Sequence, residues 1–380
     1  MVQLLNFKRN VNAMNDGNPG RDHVLQTVGL GKGFNPLTWF ASGEQGAWYD
    51  PSDLTTLFQD SAGTIPVTAV EQPVGLMKDK SGRNNHASQA TSGNRPILSA
   101  RVNLLLATDA LSTQSVTTAA ASYTLAFTGA GTVTLSGTAT GVLSAGSNTF
   151  TATAGTLTLT VSGSVTLADL RPTNAGARLP AYQRVNTSTD YDTAGFPLYL
   201  ACNGTSSAMS TSSINFTATA KMTVMTGVRK LVDQNNSVPM ELSTVANSSN
   251  PGSFTILAPL GISANYTAAC IGNAAGASTT TSALNYLAPI SNVLTVLEDI
   301  SATSPNEIIL KVNGAFTGTQ SLDCGTGNFG NYPLYLFARA GTSLLFNGQF
   351  YGGIIRGAQS DAASISQNEQ FMAQKTGISF

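Results

Sequence analysis

The sequence predicts an all-β protein of antiparallel β-sandwiches closed by a short C-terminal helix. Three observations predict it. Tyr123, Leu125 and Phe127 alternate with Thr124, Ala126 and Thr128, and Leu157, Leu159 and Val161 alternate with threonines. That period of two marks strands with one face in a core. Short apolar runs bounded by Gly, Pro, Asn and Asp recur along the chain, the spacing of a sandwich. Ile308–Val312 runs into Asn313-Gly314, a strong short-range signal for a β-hairpin.

Residues 1–35 lack any period. Asn15-Asp16-Gly17-Asn18-Pro19-Gly20 is a string of turn residues, and Lys8, Arg9, Arg21 and Lys32 make this the most basic stretch. It reads as an extended anchoring arm. Residues 36–102 read as short strands and tight turns. Pro51–Phe58 suits one short helical turn, and Asp60–Gly63 and Asp79–Asn85 suit turns. At residue 103 the composition shifts. Through residue 182 the only charges are Asp109, Asp169, Arg171 and Arg178, and the residues are mostly Thr, Ser, Ala and Gly. Residues 183–380 return to longer apolar runs. Phe196–Leu200, Met222–Arg229, Leu334–Ala338 and Phe346–Ile355 read as strands. Ser360 as N-cap, a helix to about Lys375 and Gly377 as its stop complete the chain. Ala362, Ile365 and Met372 would hold that helix to the sandwich by one face.

The 380 residues suffice for two or three domains and for a large core without staples. Charged residues make up 10%, and the net charge is −1. A typical soluble domain carries about 25%. Such a balance excludes nucleic acid, which needs a basic face, and a polybasic membrane anchor. A Ser/Thr/Asn/Gly surface instead suits packing against further copies of the chain. The expected assembly is a homo-oligomer, a trimer in particular. Cys202, Cys270 and Cys324 are odd in number and widely spaced, so they read as buried reduced thiols and not as a disulfide or zinc framework. The first residues show no apolar region with a small-residue cleavage site, and no run approaches the ~18 apolar residues of a membrane span.

His86 lies in the turn Asn84-Asn85-His86-Ala87, with Asp79 the nearest acid in sequence, and reads as a brace for that turn. His23 lies in the arm. A glycosidase needs two carboxylates across a cleft. Asp50, Asp53 and Asp60 sit in turns, and Glu298 and Asp299 are expected at a strand edge or loop. Gly29–Gly33 lacks the strand, helix and spacing of a phosphate loop. Trp39, Trp48, Tyr123, Tyr266 and Tyr286 are candidates for stacking on sugars, against the expectation that each packs in a core or interface. No catalytic, cofactor-binding or metal residue is assigned.

Three blocks carry a family resemblance: Ala47–Pro96, Leu198–Lys230 and Gly325–Thr376. Their order is a Trp-Tyr-Asp opening, an Asn-His-Ala turn and a terminal strand and helix. It resembles the laminin-G/concanavalin A-like jelly-roll sandwiches of bacteriophage structural proteins. Residues 103–182 then resemble the small carbohydrate-binding-module-like β-sandwich inserted in such proteins. It ends at Tyr182-Gln183-Arg184-Val185, with Arg171-Pro172-Thr173 where an acidic stretch is expected. Cys202–Ser207 stands where lectin-like relatives carry an acidic turn, a poor set of ligands for calcium. The resemblance implies a non-enzymatic virion protein, a fibre or appendage subunit assembled in the host cytoplasm. Residues 1–35 would dock it to a portal, adaptor, tail or capsid protein, and a host surface glycan is a further partner. The alternative is a carbohydrate-binding lectin or adhesin, and less so a polysaccharide depolymerase appendage.

Overall fold

The computed structural model describes residues 35–100, 102–173, 182–185, 198–233, 235–244, 250–273, 278–282, 284–318 and 322–378. Residues 1–34 of the arm, with His23 and Gly29–Gly33, lie outside them.

Two antiparallel sheets form the larger sandwich. The first runs in the order Ala315–Phe316, Ile308–Val312, Ile290–Asp299, Lys221–Lys230, Asn347–Arg356, Leu198–Asn203, Ile97–Ala100, and Gly46–Tyr49 also pairs with Asn347–Arg356. The second runs Ser278–Thr281, Thr267–Ile271, Ser253–Leu257, Met240–Leu242, Asn331–Leu336, Met209–Asn215, Ala87–Ser88, Leu76–Met77, Leu57–Phe58. Val224, Val228, Val296 and Ile355 of the first sheet share one core with Met240, Phe254, Leu334 and Leu336 of the second.

The outer face of the first sheet is covered too. Trp39, Trp48, Met225, Val293 and Ile354 pack against Ile365, Phe371, Met372 and Ala373 of the helix Ala362–Thr376. Burial on both faces explains why Lys221–Lys230 and Asn347–Arg356 read as nearly continuous apolar runs without alternation. The helix approaches closely at Gly227, where a Cβ would lie 2.6 Å from Thr376 and 2.9 Å from Met372. The N-cap is Asp361, whose carboxylate accepts from Ser364 N–H at 2.9 Å. Ser360, the expected cap, instead accepts from Arg356 at 2.9 Å. Ala362 is exposed; Ile365 and Met372 are buried, with Asn368, Glu369 and Phe371 beside them. The helix stops at Gly377, in the left-handed region at φ 72.

Residues 114–172 form a separate five-stranded sheet with its own core of Leu105, Tyr123, Leu125, Phe127, Val133, Leu135, Leu157, Leu159 and Leu170. The long strand Ala121–Gly137 spans both of its halves, with its pairing to Gly141–Ala152 interrupted between Phe127 and Thr132. Its five strands are hydrogen-bonded around one core. At the root, Asn103 Nδ2 donates to Ala168 O at 3.0 Å and Gln183 O at 2.8 Å. Asp169 accepts from Gln183 N–H at 2.7 Å and pairs with Arg171. An acidic residue therefore does brace the exit, just ahead of Arg171-Pro172-Thr173. The helical turn read at Pro51–Phe58 is a single 3-10 turn, Leu54–Thr56, followed by the strand Leu57–Phe58. Asn313 (φ 52) and Gly314 (φ 75) make the turn between Ile308–Val312 and Ala315–Phe316.

Candidate functional site

The most recognisable block of the sequence builds a clasp. Asp79 accepts from Trp48 N–H at 2.9 Å, Ser81 N–H at 2.8 Å, Ser81 Oγ–H at 2.8 Å and Asn85 N–H at 3.1 Å. His86 Nδ1 accepts from Asp79 N–H at 3.0 Å, so the histidine braces the turn. Asn85 O accepts from the Tyr49 hydroxyl at 2.5 Å. Burial and the Asp79 charge push that phenol well above its ordinary range.

The expected carboxylates are likewise engaged. Lys80 Nζ lies 3.1 Å from Asp50 and 2.8 Å from Asp53. Lys375 of the helix lies 3.0 Å from Asp50. Burial alone would raise the Asp50 carboxyl, but Lys375 and Lys80 outweigh it and hold it well below the usual carboxylate range. Asp60 closes its own turn, accepting from Thr64 N–H and Ile65 N–H at 2.9 Å each. Asp299 pairs with Lys221 at 3.2 Å. Contrary to the expectation of an edge or loop position, Glu298 sits within the strand Ile290–Asp299 and is completely buried. Strict alternation along 290–299 fails because both faces of this sheet are covered. Burial, then the nearby Cys324, push its carboxyl up.

Asn203 Oδ1 accepts from Thr205, Ser206 and Ser207 N–H at 2.9, 2.8 and 3.0 Å. The turn's own amides thus occupy the oxygen that a cation would need. Among the described residues no three His, Cys, Asp or Glu side chains converge as metal ligands.

The aromatic candidates separate sharply. Trp39 and Trp48 are buried under the helix, with Trp48 edge-on to Phe371 at 6.1 Å. Tyr123 is in the core of the smaller sheet. Tyr266 and Tyr286 come together, their rings 5.4 Å apart at 42°. Tyr266 is buried and donates to Asn292 Oδ1 at 2.9 Å, while Tyr286 is half-buried at the end of the sandwich.

Three loops meet there. Tyr286 N–H donates to Ala264 O at 3.0 Å, Gly261 N–H to Asn236 Oδ1 at 2.5 Å and Ala288 N–H to Asp233 at 2.6 Å. Lys230 is completely buried, pairs with Asp233 at 2.5 Å, donates to Ala264 O at 2.9 Å and lies 4.9 Å over the Tyr266 ring. Burial pulls its ammonium below its ordinary range despite Asp233. Leu260, Ile262, Leu284 and Leu287 stand exposed on these loops, Ile262 at 87%. The arrangement is a braced loop end that carries the half-buried Tyr286 ring beside exposed apolar side chains. Sequence reading singled out Tyr266 and Tyr286 but missed Lys230 and Asp233, whose signal is a lysine closing an apolar run with an acid three residues on.

No protein-family model and no curated protein matches the sequence. Solved structures similar to it include the binding domain of botulinum neurotoxin serotype G, at 11% identity and a TM-score of 0.36 over 48% of this chain and 44% of that one. The CBM40 module of the Ruminococcus gnavus IT-sialidase, bound to α2,3-sialyllactose, matches at 13% identity and 0.31 over 40% of this chain and 83% of that one. The binding domain of Paraclostridial Mosquitocidal Protein 1 matches at 15% identity and 0.33 over 45% and 43%. The chain thus spans less than half the length of the toxin domains. It is an all-β protein of antiparallel sheets in a sandwich arrangement, with one short C-terminal helix.

Proposed function

We propose that the chain is a non-enzymatic, lectin-like adhesin that holds a neutral saccharide against Tyr286. The half-exposed Tyr286 ring, backed at 5.4 Å by buried Tyr266, carries this reading. Aromatic faces flanked by apolar and amide groups suit the C–H-rich face of a sugar. Lys230 is buried and paired, so its charge is not presented to the ligand. The carboxylates of the Trp-Tyr-Asp block hold the fold together and leave no acid and base facing a substrate. The setting implied by the sequence resemblance, a bacteriophage particle with residues 1–35 docked on another virion protein, goes with this proposal.

A glycan array probed with the full chain, followed by calorimetry on the best saccharide, tests it. Tyr286→Ala should weaken binding about tenfold or more while the fold persists. Absence of binding to any saccharide, or equal binding by the variant, would overturn it.

A further inference from the structure

The strand Gly141–Ala152 carries a second inference. Among the described residues it pairs on one side only, with Ala121–Gly137. Natural sheets guard long edges with charges, proline or bulges. Two other strands of this sheet are guarded or short. Thr166–Pro172 has Leu167 at φ 50, the Asp169–Arg171 pair and a proline. Gln114–Thr118 has five residues. Gly141–Ala152 has twelve, with neither charge nor proline, and is largely exposed, Val142 at 67%.

Its faces are self-complementary. Leu143 lies opposite Val133 and Phe150 opposite Tyr123, so both side chains belong to the inward face on either side of the bend. An antiparallel pairing with a two-fold axis between Gly146 and Ser147 sets Leu143 opposite Phe150 of a second copy. In the same register Val142 meets Thr151 and Ser144 meets Thr149, all on the outward face. Inward residues meet inward ones at each end, and no like charges meet anywhere. An isologous contact requires that a patch match itself.

We propose that this edge is a homodimer interface, in which Gly141–Ala152 pairs antiparallel with the same strand of a second copy and joins two smaller sheets into one. The contact is two-fold, in contrast to the three-fold assembly expected from composition, and it does not depend on the saccharide reading.

Sedimentation velocity of the full chain across the micromolar range tests it. The wild type should sediment as a dimer. Combining Ser144→Lys with Thr149→Lys sets like charges opposite each other at both ends of the ladder and should raise the dissociation constant about tenfold or more. Combining Ser144→Lys with Thr149→Glu sets opposite charges at those positions and should restore the dimer. Both positions are exposed, so melting temperatures should stay close to wild type. A wild-type monomer or trimer, or two double variants that associate alike, would overturn the proposal.

Discussion

The Sγ atoms of Cys270 and Cys324 lie 3.5 Å apart in the core of the larger sandwich, on residues 54 apart in sequence. Cys324 also donates to Glu307 Oε1 at 2.9 Å. The hydrogen bond to Cys324, then burial, raise the Cys270 thiol far above its ordinary range, and burial does the same to Cys202. The thiolate is the reactive form. An aromatic disulfide reagent should therefore find no reactive thiol in the native protein at neutral pH and three after denaturation under reducing conditions.

Asp50 ties the helix to the opening strands through Lys375 and Lys80. Its carboxyl is depressed in the folded state. Its contribution is therefore complete above the unfolded value of about 3.9 and disappears as pH falls from there through the folded value. Thermal melts should show wild-type stability dropping below about pH 4, with a shallower drop in Asp50→Asn. At neutral pH that variant should lose about 3–5 kcal/mol, because two partly buried lysines lose their shared partner.

Glu298 has the opposite sign. Its carboxyl is raised, so the native state holds this proton to higher pH than the unfolded chain does. Its cost is absent below the unfolded value of about 4.3 and grows as pH rises from there toward the folded value. Both of its carboxyl oxygens are buried without a hydrogen-bond partner. Glu298→Gln should raise the melting temperature at pH 7 more than at pH 4, by the equivalent of about 1–3 kcal/mol.

The root of the smaller sheet offers a test of modularity. Asn103 also accepts from Leu105 N–H at 3.2 Å and Leu170 N–H at 3.0 Å, all within a buried site. Asn103→Ala should destabilise the smaller sheet by about 1–3 kcal/mol, read as earlier amide exchange there. Joining Arg101 to Gln183 through a short Gly/Ser linker should leave the larger sandwich with a cooperative thermal transition. Loop closure changes only slowly with the length removed.

Short-range patterns were legible in the sequence. Tyr123, Leu125 and Phe127 announced an inward face because side chains alternate along any strand. Asn313-Gly314 announced a hairpin because both residues tolerate positive φ, and Gly377 announced the helix stop for the same reason. The N-cap was off by one residue, since Ser360 and Asp361 are both good caps and only the neighbouring Arg356 claims Ser360. Burial of a carboxyl was not legible: Glu298 was expected at a strand edge or loop, but the helix and the second sheet cover both faces of its strand.

By itself the sequence determined the all-β class, the short C-terminal helix and the compositional break near residue 103. These follow from periodicity and turn chemistry, which act over a few residues. Tertiary structure alone decided that Asp79 and Asp50 are clasps, that Trp39 and Trp48 lie under the helix, and that Tyr286 surfaces beside Tyr266. Such outcomes depend on which distant strands pair and in which register. A shift of one residue turns every side chain to the other face.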